Sequence, residues 1–138
     1  MGDNMNKYME IALQEAKKSL LTDDVPVGAV IVEKGKIISK SHNTKEKKQS
    51  VIRHAEINAV EKACKKKKTW YLNDCEIYVT MEPCEMCMGA LKEARIKKII
   101  YAVKKEKLNR LKEPNLEQIN DAGESKKLLK LFFENKRK

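Results

Sequence analysis

Two short motifs carry side chains that can do metal chemistry. His54-Ala55-Glu56 supplies an imidazole and a carboxylate, and Pro83-Cys84-Glu85-Met86-Cys87 supplies two thiols three residues apart. His54, Cys84 and Cys87 are ligands of the kind zinc prefers. Three protein ligands leave the fourth tetrahedral position open, the mark of a catalytic rather than a structural zinc site. Water in an open position is activated at neutral pH, and a carboxylate within reach, Glu56, can shuttle its proton. The chemistry to expect is hydrolysis at one zinc ion per chain. A closed structural site needs a fourth Cys or His, and the remaining His42, Cys64 and Cys75 form no ligand-pair spacing. A Cys-x-x-Cys taken alone is equally a redox or structural motif; the two motifs together, in this order, single out hydrolysis.

Both motifs fall where a helix should begin. His54 opens one helix, and Cys84 follows Pro83, which the pattern places at the first helical position, where proline is already set for helix entry. Cys84 and Cys87 then lie one turn apart on one face and can meet one metal. The positive end of a helix favours the thiolates that bind zinc. Glu56, two residues past His54, can approach the open position without filling it.

The spacing of apolar residues supplies the elements that hold these helix starts. Met5, Tyr8, Met9, Ala12, Ala16 and Leu20 recur at three and four, which predicts a helix ending near Leu21, stopped by Thr22-Asp23-Asp24 and Pro26. Val27 to Val32 is a continuous apolar run that fits a strand buried on both faces. Lys34-Gly35 turns the chain, and Ile37-Ile38 begin the returning strand of a hairpin. Residues 43–52 are polar and read as a loop. Ala55, Ala59, Val60 and Ala63 form the apolar face of a second helix, which Lys65–Lys68 closes in accord with the helix dipole. Glu76 to Thr80 is a third strand. A helix from near Cys84 carries Met88, Leu91 and Ala94, and Ile99 to Val103 is a fourth strand. Residues 104–124 are mostly polar, with a short fifth strand near Leu116–Ile119. Leu128, Leu129, Phe132 and Phe133 mark a closing helix. Strands alternating with helices predict an α/β layered fold in one domain over residues 1–138, its sheet largely parallel after the hairpin.

Composition sets the outer bounds. The 138 residues are 41% hydrophobic, enough for one core, and carry a net charge of +10. Residues 101–138 hold 11 basic and 6 acidic side chains. That balance is either a solvated surface or an attraction for a polyanion such as RNA. No apolar run approaches the roughly 18–20 residues of a membrane span, so no membrane association is expected. Four cysteines without a secretory signal argue for a reducing compartment, the cytoplasm. Cys64 and Cys75 read as small buried apolar residues, with a Cys64–Cys75 disulfide as the alternative.

The order of the motifs is also recognisable. His-x-Glu followed by Pro-Cys-x-x-Cys is shared by the zinc nucleobase deaminases. Four blocks extend it: Asp24-Val25-Pro26-Val27-Gly28-Ala29-Val30-Ile31-Val32; Ser41-His42-Asn43; His54-Ala55-Glu56; and Ile77-Tyr78-Val79-Thr80-Met81-Glu82-Pro83-Cys84-Glu85-Met86-Cys87-Met88-Gly89-Ala90, continuing to Arg95-Ile96. On these blocks the chain resembles the bacterial tRNA-specific adenosine deaminases of the cytidine deaminase superfamily over residues 5–103. Leu128, Leu129, Phe132 and Phe133, followed by basic residues, are similar to that family's last helix. The metal motif is superfamily-wide. The Tyr-Val-Thr-x-Glu-Pro-Cys block with its Arg-Ile is more particular to the adenosine deaminases, and guanine deaminases come close.

The resemblance implies a three-layer α/β/α sandwich, cytidine-deaminase-like, with a mixed sheet of four to five strands. It implies one Zn2+, a homodimer, and conversion of adenosine to inosine at the wobble position of a tRNA anticodon. It implies that Glu56 is catalytic, that Asn43 hydrogen-bonds the purine, and that Val27, Ala55 and the backbone near Pro83 line the pocket. Residues of the last helix, Phe133 and Arg137 among them, would touch flanking nucleotides. Phe132 and Phe133 point about 100° apart on a helix, so at least one of them belongs to the core with Leu128 and Leu129. The chain departs from the family in two places. Arg53 precedes the ligand histidine where a small residue is usual, and Lys104–Arg110 replaces a Gly- and Ser-rich loop. Three readings follow. The first is an RNA-editing enzyme, favoured by the basic tail. The second is a deaminase of a free base or nucleoside of the guanine or cytosine type, favoured by the altered loop. The third is a non-catalytic RNA-binding zinc module, against which Glu56 argues because binding needs no such carboxylate.

Overall fold

The computed structural model describes residues 6–105, 113 and 115–136. Its elements follow the chain as α1 (Lys7–Lys18), β1 (Gly28–Glu33), β2 (Lys36–His42), α2 (Lys45–Lys48), α3 (Ala55–Lys67), β3 (Cys75–Met81), α4 (Glu85–Glu93), β4 (Lys98–Val103), β5 (Leu116–Gln118) and α5 (Glu124–Lys136). The strands form one mixed sheet in the order β2-β1-β3-β4-β5. β1 pairs antiparallel with both β2 and β3, while β3, β4 and β5 run parallel. The expected hairpin turns at Lys34 and Gly35, both at positive φ, which matches the twist of the flanking strands.

Alternation along the strands builds two cores. Ala29, Ile31, Ile77, Val79, Ile99 and Tyr101 face one way and pack with Ala59 and Ala63 of α3 and Met88 and Leu91 of α4. Val30, Val32, Ile100 and Ala102 face the other way, against Met9 and Ala12 of α1. α5 closes that second face beside α1 and β4. The result is the three-layer sandwich. Ser39 ties α3 to the sheet, its Oγ donating to the Ala59 carbonyl at 2.8 Å.

Several local expectations change. Residues 43–52 are not all loop: α2 forms within them, although it presents no buried residue. The first helix ends at Lys18 and tightens into a 3-10 turn over Ser19–Thr22. Its N-cap is Asn6, whose Oδ1 accepts from Tyr8 N and Met9 N; Met5 lies outside the described residues. Pro83 is not the first helical residue. Cys84, extended at φ −72° and ψ 176°, is itself the cap of α4, so Pro83 precedes the helix. Cys64 and Cys75 are both free, and Cys75 is buried, so the disulfide alternative is dropped.

Candidate active site

The site forms where several element ends meet. β1 begins and β2 ends at the same edge, Gly28 opposite His42, and β3 ends beside them, its Val79 opposite Ala29. α3 and α4 both start there. His54 caps α3 in an extended conformation, φ −73° and ψ 155°, and its carbonyl accepts the Asn58 amide at 3.0 Å. The Cys84 carbonyl accepts the Met88 amide at 2.8 Å. Each cap residue thus starts its helix with its main chain and keeps its side chain for the site.

The three side chains converge. His54 Nδ1 lies 3.7 Å from Cys84 Sγ and 3.5 Å from Cys87 Sγ. All three donor atoms fall within 4.8 Å of one another. Zn–S bonds of about 2.3 Å and Zn–N bonds of about 2.0–2.1 Å at tetrahedral angles would place S and N about 3.6 Å apart. The donor set therefore fits a tetrahedral metal in spacing and in type. Among the described residues it is the group of this kind. His42, the other histidine, is engaged elsewhere, its Nδ1 3.1 Å from Glu15 Oε1.

Burial shapes the titration of the site. It lowers the pKa of His54, helped by the charges of Lys105 and Lys45, which favours the neutral imidazole a metal requires. It pushes the Glu56 carboxyl up, against the pull of the backbone, Lys105 and Cys87. Burial also pushes the Cys87 thiol up, reinforced by Glu56 and Cys84. Glu56, 4% exposed, stands in the first turn of α3 within hydrogen-bonding reach of Cys87.

In front of these groups lies a pocket of about 180 Å³. Val27, Asn43, His54, Ala55 and Glu56 line it, joined by Val25, Lys45, Met81, Glu82 and Lys105. Asn43 is held by its main chain: its N–H donates to the Val27 carbonyl at 3.0 Å and its carbonyl accepts from Ser19 Oγ at 2.8 Å. Its Oδ1 accepts from Lys45 N at 3.2 Å, and its Nδ2 takes no protein partner among the described residues. Pro83 is fully buried, and Met81 and Glu82 form the wall in that stretch.

The MafB19-like deaminase family matches residues 3–137. The chain belongs to that family. A tRNA-specific adenosine deaminase of Aquifex aeolicus is 41% identical over 138 residues, covering 91% of each chain. One of Bacillus subtilis is 45% identical over 94 residues, of which the match spans 58% of the longer relative. A solved structure from work on A-to-I editing by tRNA:A34 deaminases at the wobble position is 32% identical, with a TM-score of 0.76 over 81% of this chain and 96% of that one. A guanine deaminase structure from Bacillus subtilis is 36% identical, with a TM-score of 0.68 over 72% of this chain and 66% of that one. The protein is a nucleobase deaminase of cytidine-deaminase-like fold.

Further residues of the deaminase hold the site in place, and sequence reading gave them no role. Asp24, 1% exposed, accepts from Glu46 N at 2.5 Å, Lys47 N at 3.2 Å and Thr22 Oγ1 at 2.7 Å. It thereby anchors α2 and the segment carrying Asn43. Asn58 donates to the His42 carbonyl and to Thr44 Oγ1, and accepts from Arg53 Nη1 at 3.0 Å. Arg53, a departure from the family, points away from the pocket and clamps Glu61 with both Nη atoms. Glu82, buried in the wall, accepts from Lys105 N at 2.9 Å and so brings the chain after β4 to the pocket. Glu82 carried one signal: a carboxylate between an apolar strand and Pro83.

The expected RNA contacts divide. Phe132 is 8% exposed and Phe133 47%, with the rings edge to face at 5.2 Å. Phe132 is the core residue and Phe133 the available one. Lys136 pairs with Asp23. Arg137 lies outside the described residues.

Proposed function

We propose that this deaminase holds one zinc ion through His54, Cys84 and Cys87 and converts adenosine to inosine at the wobble position of a tRNA anticodon. The observation that carries the reading is one base-sized pocket lined by His54 of the His-Cys-Cys donor set, the buried Glu56 carboxylate and Asn43, whose Nδ2 is free among the described residues. Zinc, when bound, supplies Lewis acidity and an activated water. The chain's own residues supply the rest. Glu56, its pKa raised by burial, moves protons from the incoming water to the departing amine, so that adenosine and water give inosine and ammonia. Asn43 Nδ2 donates to an acceptor on the purine edge, and Val27 and Ala55 pack on the ring. Phe133 offers a stacking face to a neighbouring base.

Naming of the relatives as tRNA-specific adenosine deaminases supports the RNA substrate. A tRNA substrate would place the enzyme in the cytoplasm. A homodimer is part of the same reading. It is supported by an uncovered groove lined by Val60 and Cys64 of α3, Ala90 of α4 and Trp70 in the segment after α3, with Trp70 63% exposed; sedimentation of the zinc-loaded protein tests it. The second reading, a free-base deaminase, is favoured by the similarity to guanine deaminase. Ammonia release from an anticodon stem-loop, compared with release from free guanine, cytosine, adenosine and cytidine, decides between them. Turnover of the stem-loop alone supports the proposal, and turnover of free bases alone overturns it.

A further inference from the structure

We infer that the groove between β2, α2 and α3 is the track for the phosphate backbone of the RNA, an inference that rests on the tRNA reading above. The groove has a volume of about 360 Å³ and is lined by Lys47 and Lys48 of α2 and Lys62 and Lys65 of α3. Lys62 and Lys65 are one helical turn apart and share a face. All four side chains are exposed. Among the described residues no carboxylate comes within ion-pairing distance of any of them. Lys62 Nζ donates to the Lys40 carbonyl at 3.2 Å and keeps its charge. The acid in the groove, Glu61, is already engaged by Arg53 through two hydrogen bonds. That pair is neutral and leaves four positive charges facing one channel.

Elsewhere paired and unpaired lysines are mixed, and no other groove gathers four unpaired ones among the described residues. Lys18, Lys67, Lys92, Lys98, Lys127 and Lys136 each pair with a carboxylate. On α5, where the sequence pointed for RNA contacts, Lys127 pairs with Glu124 and Lys136 with Asp23, while Lys126 and Lys130 have no carboxylate within ion-pairing distance among the described residues. Unpaired like charges along a groove repel one another, and a polyanion relieves that repulsion while releasing its counterions.

Position joins the groove to the chemistry. Thr44 N donates to the Arg53 carbonyl at 2.9 Å, and Thr44 and Arg53 line the groove. Their chain neighbours Asn43, Lys45 and His54 line the catalytic pocket. One hydrogen-bonded pair of backbone segments is therefore the wall between them. A strand with one base turned into the pocket has its adjoining phosphates beside the lysines. Mobile ammonium groups in an open channel suit charge spread along a backbone, whereas a single small anion calls for fixed, buried donors.

The test compares the zinc-loaded wild type with the K47Q/K48Q/K62Q/K65Q variant in binding an anticodon stem-loop between 50 and 200 mM KCl, conditions of roughly the range over which counterion release is read. Each lost phosphate contact flattens the log–log salt slope by about 0.7–0.9, so four should flatten it by about 3 and weaken binding at 0.1 M salt by about 10²–10³-fold. Zinc content and the thermal midpoint should stay at wild-type values. An unchanged slope in the variant, with a wild type that deaminates the stem-loop, overturns the groove and leaves the tRNA reading standing. The same flattening produced by K126Q/K127Q/K130Q instead moves the track to α5 and also overturns it. A wild type that neither binds nor deaminates the stem-loop overturns the tRNA reading itself, and the groove with it.

Discussion

Replacing Asp24 with Asn should loosen the segment that carries Asn43 without touching a metal ligand. Asp24 Oδ1 accepts from Glu46 N, and Oδ2 from Lys47 N and Thr22 Oγ1. An amide keeps one acceptor oxygen. In either orientation its NH2 group meets one of the two backbone N–H groups, donor against donor. One charge-assisted hydrogen bond is lost, about 1.5–3 kcal/mol, and one donor is left unsatisfied, about 1–3 kcal/mol. A value of about 3 kcal/mol is therefore conservative. Unfolding entropy of about 2.1 cal/mol/K per residue gives about 0.3 kcal/mol/K for a chain of this length, so the thermal midpoint should fall by about 10 °C. Lys45 N, the first amide of α2, donates to Asn43 Oδ1, so a loosened α2 releases Asn43. KM should rise by about an order of magnitude, more than kcat falls. Scanning calorimetry and steady-state ammonia release measure both, with zinc content as the control. A midpoint within about 2 °C of the parent refutes the hydrogen-bond reasoning. A lowered midpoint with unchanged KM refutes the link to Asn43.

Gly28→Ala should destabilise sharply, because a Cβ there would sit 1.8 Å from the Ala12 carbonyl oxygen and 2.6 Å from Ala16 N. α1 must lift off β1 at a cost of about 3 kcal/mol or more, and a melt within about 2 °C of wild type contradicts it. Glu15 is 4% exposed; burial raises its pKa, but hydrogen bonds from Lys18 and His42 and their charges outweigh that and hold it below the usual 4.5. A depressed pKa stabilises the fold above the unfolded value, and that contribution is lost as pH falls through the folded one. Glu15→Gln should therefore lower the melting temperature at pH 7, with the gap closing below about pH 4.5; a gap that widens on acidification contradicts this. Phe132→Ala should cost about 3–5 kcal/mol of stability. Phe133→Ala should barely change stability but weaken stem-loop binding by about 1–3 kcal/mol; equal melts for the two variants would show the assignment of faces to be wrong.

The parts of this site that local sequence determines were legible in advance. The ligands lie in two short motifs, and the strands and long helices carry apolar residues at their own periods. What escaped depends on partners far along the chain. α2, Lys-Glu-Lys-Lys, has no apolar face, and its backbone donors are met by Asp24, some twenty residues upstream. Arg53 looked like a misfit beside a ligand until its guanidinium met Glu61 one face of α3 away. Lys105 reaches the pocket because the Glu82 carboxylate accepts its amide across the sheet edge. The periodicity of α5 placed at least one phenylalanine in the core without saying which; docking against α1 and β4 chose Phe132.

The most direct measurement is mass spectrometry of an anticodon stem-loop after incubation with the zinc-loaded protein in heavy-oxygen water. The account predicts inosine at the wobble position carrying the heavy oxygen at C6, with no label elsewhere in the RNA and none when Glu56→Ala replaces the wild type at equal zinc content. An unmodified stem-loop, with the label appearing instead in a free base supplied alongside it, would contradict the account.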